Sequence, residues 1–149
     1  VFATDGALSS TRLLQENFDR YRSDCAFTPQ ASLLEWGDDA AVDSLIYNLG
    51  KLPDIVIASD VVYAHSAREE LSQTIRKLCP PGHMNGRVVI AHRWRADSTD
   101  EERFFQSFNG DFDREEIGIE FFPEDEYYRT KSMIDFRYPM SIFEMKRKW

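Results

Sequence analysis

Apolar positions along the chain fall into short runs that are apolar at nearly every position and longer stretches in which apolar residues recur every three or four positions. The short runs predict β-strands at residues 1–4, 31–34, 54–59 and 87–91. The run at 54–59 is the clearest, because a strand in a parallel sheet with helices on both faces is apolar on both sides.

Helical spacing predicts four helices between and after these strands. Ser9 or Ser10 can cap the first of them. Pro80-Pro81-Gly82 ends the third, because proline cannot continue a helix. The helices are expected at residues 9–21, 40–49, 66–78 and 97–108.

Two final strands, expected at residues 117–122 and 139–146, follow the last helix. No helical pattern between them is long enough for a parallel crossover, so the pair should be antiparallel. The chain thus alternates strand and helix four times and ends on two strands. This order predicts a single α/β domain over residues 1–149, with a parallel sheet covered by helices and a C-terminal antiparallel strand pair.

Composition narrows the class of protein. The net charge of -8 and the pI near 4.9 disfavour a general nucleic-acid binder, which needs a basic surface to displace counterions from phosphates. The two cysteines, Cys25 and Cys79, form no CxxC motif and indicate a reducing compartment. No stretch approaches the roughly 20 apolar residues of a membrane span. We therefore expect a cytoplasmic protein, with the nucleus as a second location, that binds neither nucleic acid nor membrane.

Ligands of parallel α/β sheets bind at the carboxyl ends of the strands. The first strand ends on Asp5-Gly6, where a carboxylate can accept hydrogen bonds from a ribose, although an ordinary Asp-Gly turn has the same sequence. Trp36, after the second strand, can cover an adenine ring or pack onto a neighbouring helix. Asp60 and Tyr63, just past the third strand, form a carboxylate and phenol pair that can hold a cationic amine.

Other polar clusters carry weaker signals. His65, His83 and His92 are scattered, and each reads as a surface or loop histidine. The G-x-S-x-G elbow of a hydrolase is absent, and no Cys/His cluster indicates a metal site. The acidic stretches at residues 97–102 and 111–116 read as solvated faces or helix starts.

Four segments together resemble a known group of enzymes: VFATDG, LLEWGD, PDIVIASDVVY and YPMSIFEMK. The group is the class I S-adenosylmethionine-dependent protein-lysine methyltransferases of the lysine methyltransferase family 16 type. DVVY matches the D-x-x-Y/F motif of that family, and LEWGD is similar to its acid-tryptophan loop. The spacing is most similar to calmodulin-lysine N-methyltransferases, followed by enzymes that modify translation elongation factor 2.

The resemblance implies a Rossmann-like methyltransferase sheet, S-adenosyl-L-methionine as the cofactor and a protein substrate, calmodulin or a translation factor. It also implies roles for residues at the strand ends. These are Asp5 and Gly6 at the ribose, Trp36 and Ser59 at the adenosine, Asp60 and Tyr63 as catalytic residues at the lysine entrance, and Arg93 and Arg95 as substrate-side contacts.

One departure from the family pattern lies before the first strand. Family members have a strand and a glycine-rich G-x-G turn there, which this chain does not contain. In the family's sheet that strand is the first and central one, between the strands that here end at Asp5 and Ser59. We therefore expect a partial, N-terminally truncated methyltransferase domain with two unpaired strand edges, inactive as the 149-residue chain alone.

Three other classes stay open. A dinucleotide-dependent oxidoreductase shares the acidic strand end, but the closing antiparallel pair and the D-x-x-Y block favour a methyltransferase. A nucleic-acid methyltransferase usually has a basic face or an Asn/Asp-Pro-Pro-Tyr/Phe motif, and DVVY is neither. A non-catalytic Rossmann-like binding module is favoured by the missing glycine-rich turn.

Overall fold

Strands and helices alternate in the computed structural model, which describes residues 1–24, 26–83, 85–94, 98–117 and 140–148. Two single turns of 3-10 helix, Arg22–Asp24 and His65–Ala67, precede the second strand and the third helix. The strands are β1 Phe2–Asp5, β2 Gln30–Leu33, β3 Ile55–Ser59, β4 Arg87–Arg93, β5 Phe112–Ile117 and β6 Met140–Arg147, and the helices are α1 Leu8–Arg20, α2 Asp39–Leu49, α3 Arg68–Leu78 and α4 Ser98–Gln106.

Helix α1 begins without a side-chain cap. Its N-cap residue is Ala7, so the expectation that Ser9 or Ser10 caps this helix is wrong, because both residues lie inside its first turn. The start is fixed by Asp5 instead, whose Oδ1 accepts a hydrogen bond of 2.7 Å from the amide of Ala7. A carboxylate at the end of β1 therefore closes the turn that leads into α1.

The ends of α2 are encoded locally. Asp38 caps its N-terminus, with Oδ1 accepting a hydrogen bond of 2.9 Å from the amide of Ala41. Gly50 ends it in the left-handed conformation, at φ 70°, which a glycine adopts without steric cost. None of the helices in the described part of the chain is long and apolar enough to cross a membrane.

The strands form two sheets. The first is β1 and β2, which are parallel, with Asp5 opposite Leu33. The second has the order β3-β4-β6-β5, in which β3 and β4 are parallel and β6 is antiparallel to both β4 and β5. The last two strands of the described part of the chain, β5 and β6, are antiparallel.

The bounds of β5 differ from the prediction. This strand ends at Ile117 rather than beginning there, and residues 118–122 lie outside the described residues. Its sequence is mostly charged, but Phe112 is buried. Arg114, on the same face, donates a hydrogen bond of 2.8 Å to Glu102 Oε1 on α4 and lies 5.1 Å from the ring centre of Phe143. The acidic stretch at 111–116 is therefore mainly a strand. Its inward-facing Arg114 is stabilised by the ion pair with Glu102 and by the contact with the Phe143 ring.

Each sheet has its own buried cluster. The larger one lies between the four-stranded sheet and helices α3 and α4, and the smaller one lies between β2, α2 and the end of α3. Val56 of β3 packs against both clusters and joins them. The larger cluster is Val62, Leu71, Ile75, Cys79, Val88, Ile90, Phe104, Phe105, Phe108, Phe112, Phe143 and Met145, and the smaller is Leu34, Val42, Leu45 and Leu78.

Two strand edges lack a partner within the described residues. Strand β1 pairs only with β2, and β3 pairs only with β4. Strand β3 also exposes large apolar side chains, with Ile55 42% and Ile57 72% exposed. Exposed apolar strands with open hydrogen-bonding edges are unusual in stable sheets, because they invite pairing with a further strand.

Candidate active site at the strand ends

Asp5 and Gly6 form the turn at the carboxyl end of β1. The backbone oxygen of Asp5 accepts a hydrogen bond of 3.0 Å from the amide of Leu34, which extends the β1 and β2 ladder by one step. A side chain on Gly6 would begin 3.7 Å from both Leu34 O and Glu35 Cα. The Asp5-Gly6 turn therefore lies directly beside the loop that follows β2, as the shared edge of a parallel pair requires.

Trp36 lies in that loop and is partly buried against the larger core cluster. The loop is attached to α3 through Gly37, whose amide donates a hydrogen bond of 2.9 Å to Thr74 Oγ1. Gly37 has φ 83°, and a side chain there would begin 3.0 Å from Glu70 Cγ, so both conformation and space favour glycine. Packing onto neighbouring structure is thus observed for Trp36, and its contact with an adenine ring stays a prediction.

Asp60 directly follows β3 and has an unusual backbone. Its amide donates a hydrogen bond of 2.8 Å to Ala91 O, which carries the β3 and β4 ladder one residue past Ser59. Asp60 has φ 51°, the only positive φ of a non-glycine residue in the described part of the chain. The left-handed region costs such a residue roughly 1 kcal/mol and recurs at functional sites. The sheet therefore holds an exposed carboxylate at its edge in a conformation that other residues avoid.

The loop after Asp60 packs its two valines, Val61 and Val62, against the larger cluster and exposes the tyrosine that follows. Val62 is fully buried in the larger cluster, whereas Tyr63 is 59% exposed. The backbone oxygen of Val62 accepts a hydrogen bond of 2.9 Å from Nε of Arg68. The D-x-x-Y segment is therefore anchored by its third residue, and its first and fourth residues reach the surface.

Arg68 is the first residue of α3, and its side chain is 10% exposed. Its Nη1 donates a hydrogen bond of 2.7 Å to Asp100 Oδ2, and its Nη2 lies 4.0 Å from Glu101 Oε1. The same Asp100 oxygen is 2.6 Å from Nδ1 of His65. The hydrogen bond from His65, together with the positive charge of Arg68, holds the pKa of Asp100 below its ordinary value.

Glu101 links this arginine to the sheet. Its side chain is 3% exposed, and Oε2 lies 3.2 Å from Nε2 of His92, which is completely buried on β4. The interpretation of His92 as a surface or loop histidine is therefore wrong, and so is a solvated position for Glu101. The sequence contains the signal for His92, because Val88, Ile90 and His92 alternate along β4 and share its buried face.

The other predicted residues are only partly brought together. Arg93 is half-buried at the end of β4, and Arg95 lies outside the described residues. Trp94 follows β4 and donates a hydrogen bond of 2.9 Å from its indole nitrogen to Ser141 Oγ. Beside it an open depression of about 520 Å³ is lined by Trp94, Thr99, Glu102, Arg103 and Gln106. This surface is open to solvent, unlike the enclosed pockets that hold small molecules.

A family model described as lysine methyltransferase matches residues 1–111, which include every predicted site residue from Asp5 to Arg95. The chain belongs to this lysine methyltransferase family. It is 35% identical over 105 residues to the mouse protein-lysine methyltransferase METTL21E, a match that covers 70% of this chain and 40% of that protein. It is also 35% identical over 89 residues to the human putative methyltransferase-like protein 21E pseudogene, covering 60% of this chain and 30% of that sequence.

These matches confirm the family resemblance that the strand-end motifs predict. They cover less than half the length of either relative. The methyl donor, the substrate and the reaction of the whole protein are therefore matters of proposal.

Proposed function

We propose that the protein is an S-adenosylmethionine-dependent protein-lysine N-methyltransferase whose lysine entrance is formed by Asp60 and Tyr63. The supporting observation is the conformation of Asp60, a left-handed aspartate fixed by the β4 backbone at the carboxyl end of a parallel strand. In a member of the lysine methyltransferase family, this is where a Rossmann-like sheet binds its ligands. The exposed phenol of Tyr63 lies three residues further along the same anchored loop.

The residues at the end of β1 fit a nucleoside. Asp5 Oδ1 is held by the amide of Ala7, which fixes the orientation of the carboxylate. Within the described residues Oδ2 makes no hydrogen bond, and it can accept one from a ribose hydroxyl. Ser59, at the end of β3, and Trp36 would border the adenosine, and the bound cofactor would supply an activated methyl group.

The protein's own contribution to methyl transfer is alignment and desolvation. A lysine amine must be neutral to attack, and a narrow, partly apolar entrance favours the neutral form by lowering its pKa. Asp60 would orient the amine through its carboxylate, and the ring of Tyr63 would line the entrance and attract the ammonium form as it arrives. Holding the amine in line with the methyl group can supply several kcal/mol of the barrier reduction.

A further strand between β1 and β3 would complete this site. Each of these strands has one edge without a partner among the residues that the structure describes, and β3 exposes Ile57 beside one of them. One added strand could pair with both edges and join the two sheets into one, with its following turn close to both Asp5 and Asp60. The 149-residue chain alone should therefore be inactive. Methyl transfer by the purified chain would contradict this part of the proposal.

The substrate is proposed to be a protein, with calmodulin as the first candidate and a translation elongation factor as the second. The open depression beside Trp94 supports a polypeptide more than a small molecule. The net charge of -8 opposes long-range attraction to an acidic partner such as calmodulin, so a local basic surface would have to compensate.

A non-catalytic binding module is the second candidate, and it is favoured by the two strand edges that have no partner in the described part of the chain. The test is methyl transfer from labelled S-adenosylmethionine by the full-length gene product, with calmodulin and elongation factor 2 offered separately. Label on a lysine of either substrate supports the enzyme. Stable binding of a partner protein without transfer or cofactor binding supports the module instead.

A further inference from the structure

We propose that Arg68 is a positioning residue that sets the orientation of Asp60 and Tyr63 without touching the substrate. The proposal rests on the function proposed above for that pair. The guanidinium joins the D-x-x-Y loop to helix α4 by two hydrogen bonds of 2.9 and 2.7 Å from a nearly buried side chain.

The bond to the loop is the important one. Val62 is fully buried, so its backbone oxygen has no access to water and depends on the Arg68 Nε donor. Val62 lies between Asp60 and Tyr63, and its position therefore constrains both. Without that donor, the buried carbonyl would turn to find another partner and carry the adjoining residues with it.

Arginine suits this position because its donors diverge from a rigid plane. Nε points to Val62 O while Nη1 points to Asp100 Oδ2, an arrangement that a single ammonium cannot reproduce. The carboxylates around it are Asp100 and Glu101, which in turn contact His65 and His92. A buried cation is tolerated only with such partners.

The place of Arg68 on its own helix argues against a purely local role. It is the first residue of α3, where the helix dipole favours negative side chains, as Glu69 and Glu70 are. A cation there is slightly unfavourable for the helix. Its tertiary hydrogen bonds to the loop and to α4 offset that cost.

Arg76 provides a matched control on the same helix. It too joins α3 to the α4 region, with hydrogen bonds of 2.8 Å from Nε to Asp111 Oδ2 and of 2.8 Å from Nη2 to Ser107 O. Arg68 and Arg76 are thus two forked arginines that bridge similar elements. Only Arg68 contacts the loop that contains Asp60 and Tyr63.

The experiment compares Arg68→Lys with Arg76→Lys in the full-length gene product. For Arg68→Lys we expect kcat to fall roughly 10- to 100-fold, because small misplacement of reacting groups has effects of that size. Binding of adenosylhomocysteine should stay within about twofold, since no cofactor residue is disturbed. Arg76→Lys should keep kcat within about twofold while also lowering the melting temperature relative to wild type, because it too breaks a forked contact between α3 and the α4 region.

A second variant and a second readout protect the test against misfolding. Asp100→Asn removes the charge that holds the other end of the guanidinium and should lower kcat in the same direction, by less. Hydrogen exchange should show faster exchange of the amides at residues 61–64 in Arg68→Lys and unchanged exchange there in Arg76→Lys.

Equal kcat and equal exchange at residues 61–64 in Arg68→Lys and wild type would overturn the inference. Equal loss of kcat in both lysine variants would also overturn it, because a general loss of stability would then be the cause. If the wild-type protein transfers no methyl group to calmodulin or elongation factor 2, the proposed function fails, and the exchange result alone decides whether Arg68 positions the loop.

Discussion

The two sheets of this molecule differ in how many buried side chains pack against them. Among the described residues, the four-stranded sheet has a cluster of twelve buried side chains between it and two helices, whereas the two-stranded sheet shares a cluster of four. Asp60 and Tyr63 belong to the first region, and Asp5 and Gly6 to the second. The proposed lysine entrance is thus built on a well-packed unit, while the proposed ribose site rests on a small sheet with an open edge.

The largest expected effect compares leucines of equal burial in the two regions. Leu71 and Leu34 are both 4% exposed, one in each cluster. Leu71→Ala should lower the free energy of unfolding by about 4 kcal/mol, because a densely surrounded site cannot collapse around the cavity. Leu34→Ala should cost about 2 kcal/mol, because its small cluster can relax. Urea unfolding measures both, and equal losses would contradict the difference between the regions.

The next largest effect is expected on kcat when Asp60, at the end of β3 in the four-stranded sheet, is changed. Asp60→Asn keeps a residue that tolerates the left-handed conformation and removes the charge. In the full-length gene product, kcat should fall by about tenfold or more, with a melting temperature within about 2 °C of wild type. Asp113→Asn, on the exposed face of β5, is the matched control and should change neither value. An unchanged turnover in Asp60→Asn would remove this residue from the catalytic role.

The open edge of the four-stranded sheet, formed by β3, can be tested at Ile57. This side chain is 72% exposed on β3, so Ile57→Thr should change the free energy of unfolding of the 149-residue chain by only about 0.5 kcal/mol. If a further strand and its connections cover this face in the full-length gene product, the same substitution there should cost about 1 to 2 kcal/mol. Equal small effects in both proteins would argue against that covering.

The smallest expected effect is on how the stability of the fold depends on pH, through the ion pairs of Asp111 and Asp100. The hydrogen bond from Arg76 lowers the pKa of Asp111, and that from His65 lowers the pKa of Asp100. A carboxyl group with a lowered folded-state pKa stabilises the fold above its unfolded pKa, and this contribution is lost as the pH falls through the lowered value. Stability should therefore decrease below about pH 4. Asp111→Asn should flatten the decrease, and an unaltered acid profile would show that this pair contributes nothing measurable.

Much of the fold could be predicted from the sequence, because hydrophobic periodicity is local. The helix positions, the parallel β3 and β4 pair and the antiparallel end follow from spacing and connection length. The start of β5 could not be read this way. Its Arg114 faces inward because it pairs with Glu102 and packs on the ring of Phe143, and both partners lie on other elements.

The candidate site was predictable only in outline. Strand ends place Asp5 and Asp60 at an edge, but the left-handed backbone of Asp60 does not follow from local sequence. Arg68 gave no local signal, because its ion-pair partner Asp100 is 32 residues away. Contacts between residues distant in sequence decide these features, and only the folded arrangement shows them.

We propose that this chain carries one side of a cofactor site that a further strand completes. Isothermal titration of adenosylhomocysteine tests it, using the 149-residue chain and a version extended N-terminally through one more strand. We expect binding to the extended protein alone, weakened about tenfold by Asp5→Asn through loss of a charged hydrogen bond to ribose. Equal binding by both proteins, or binding by neither, would contradict it.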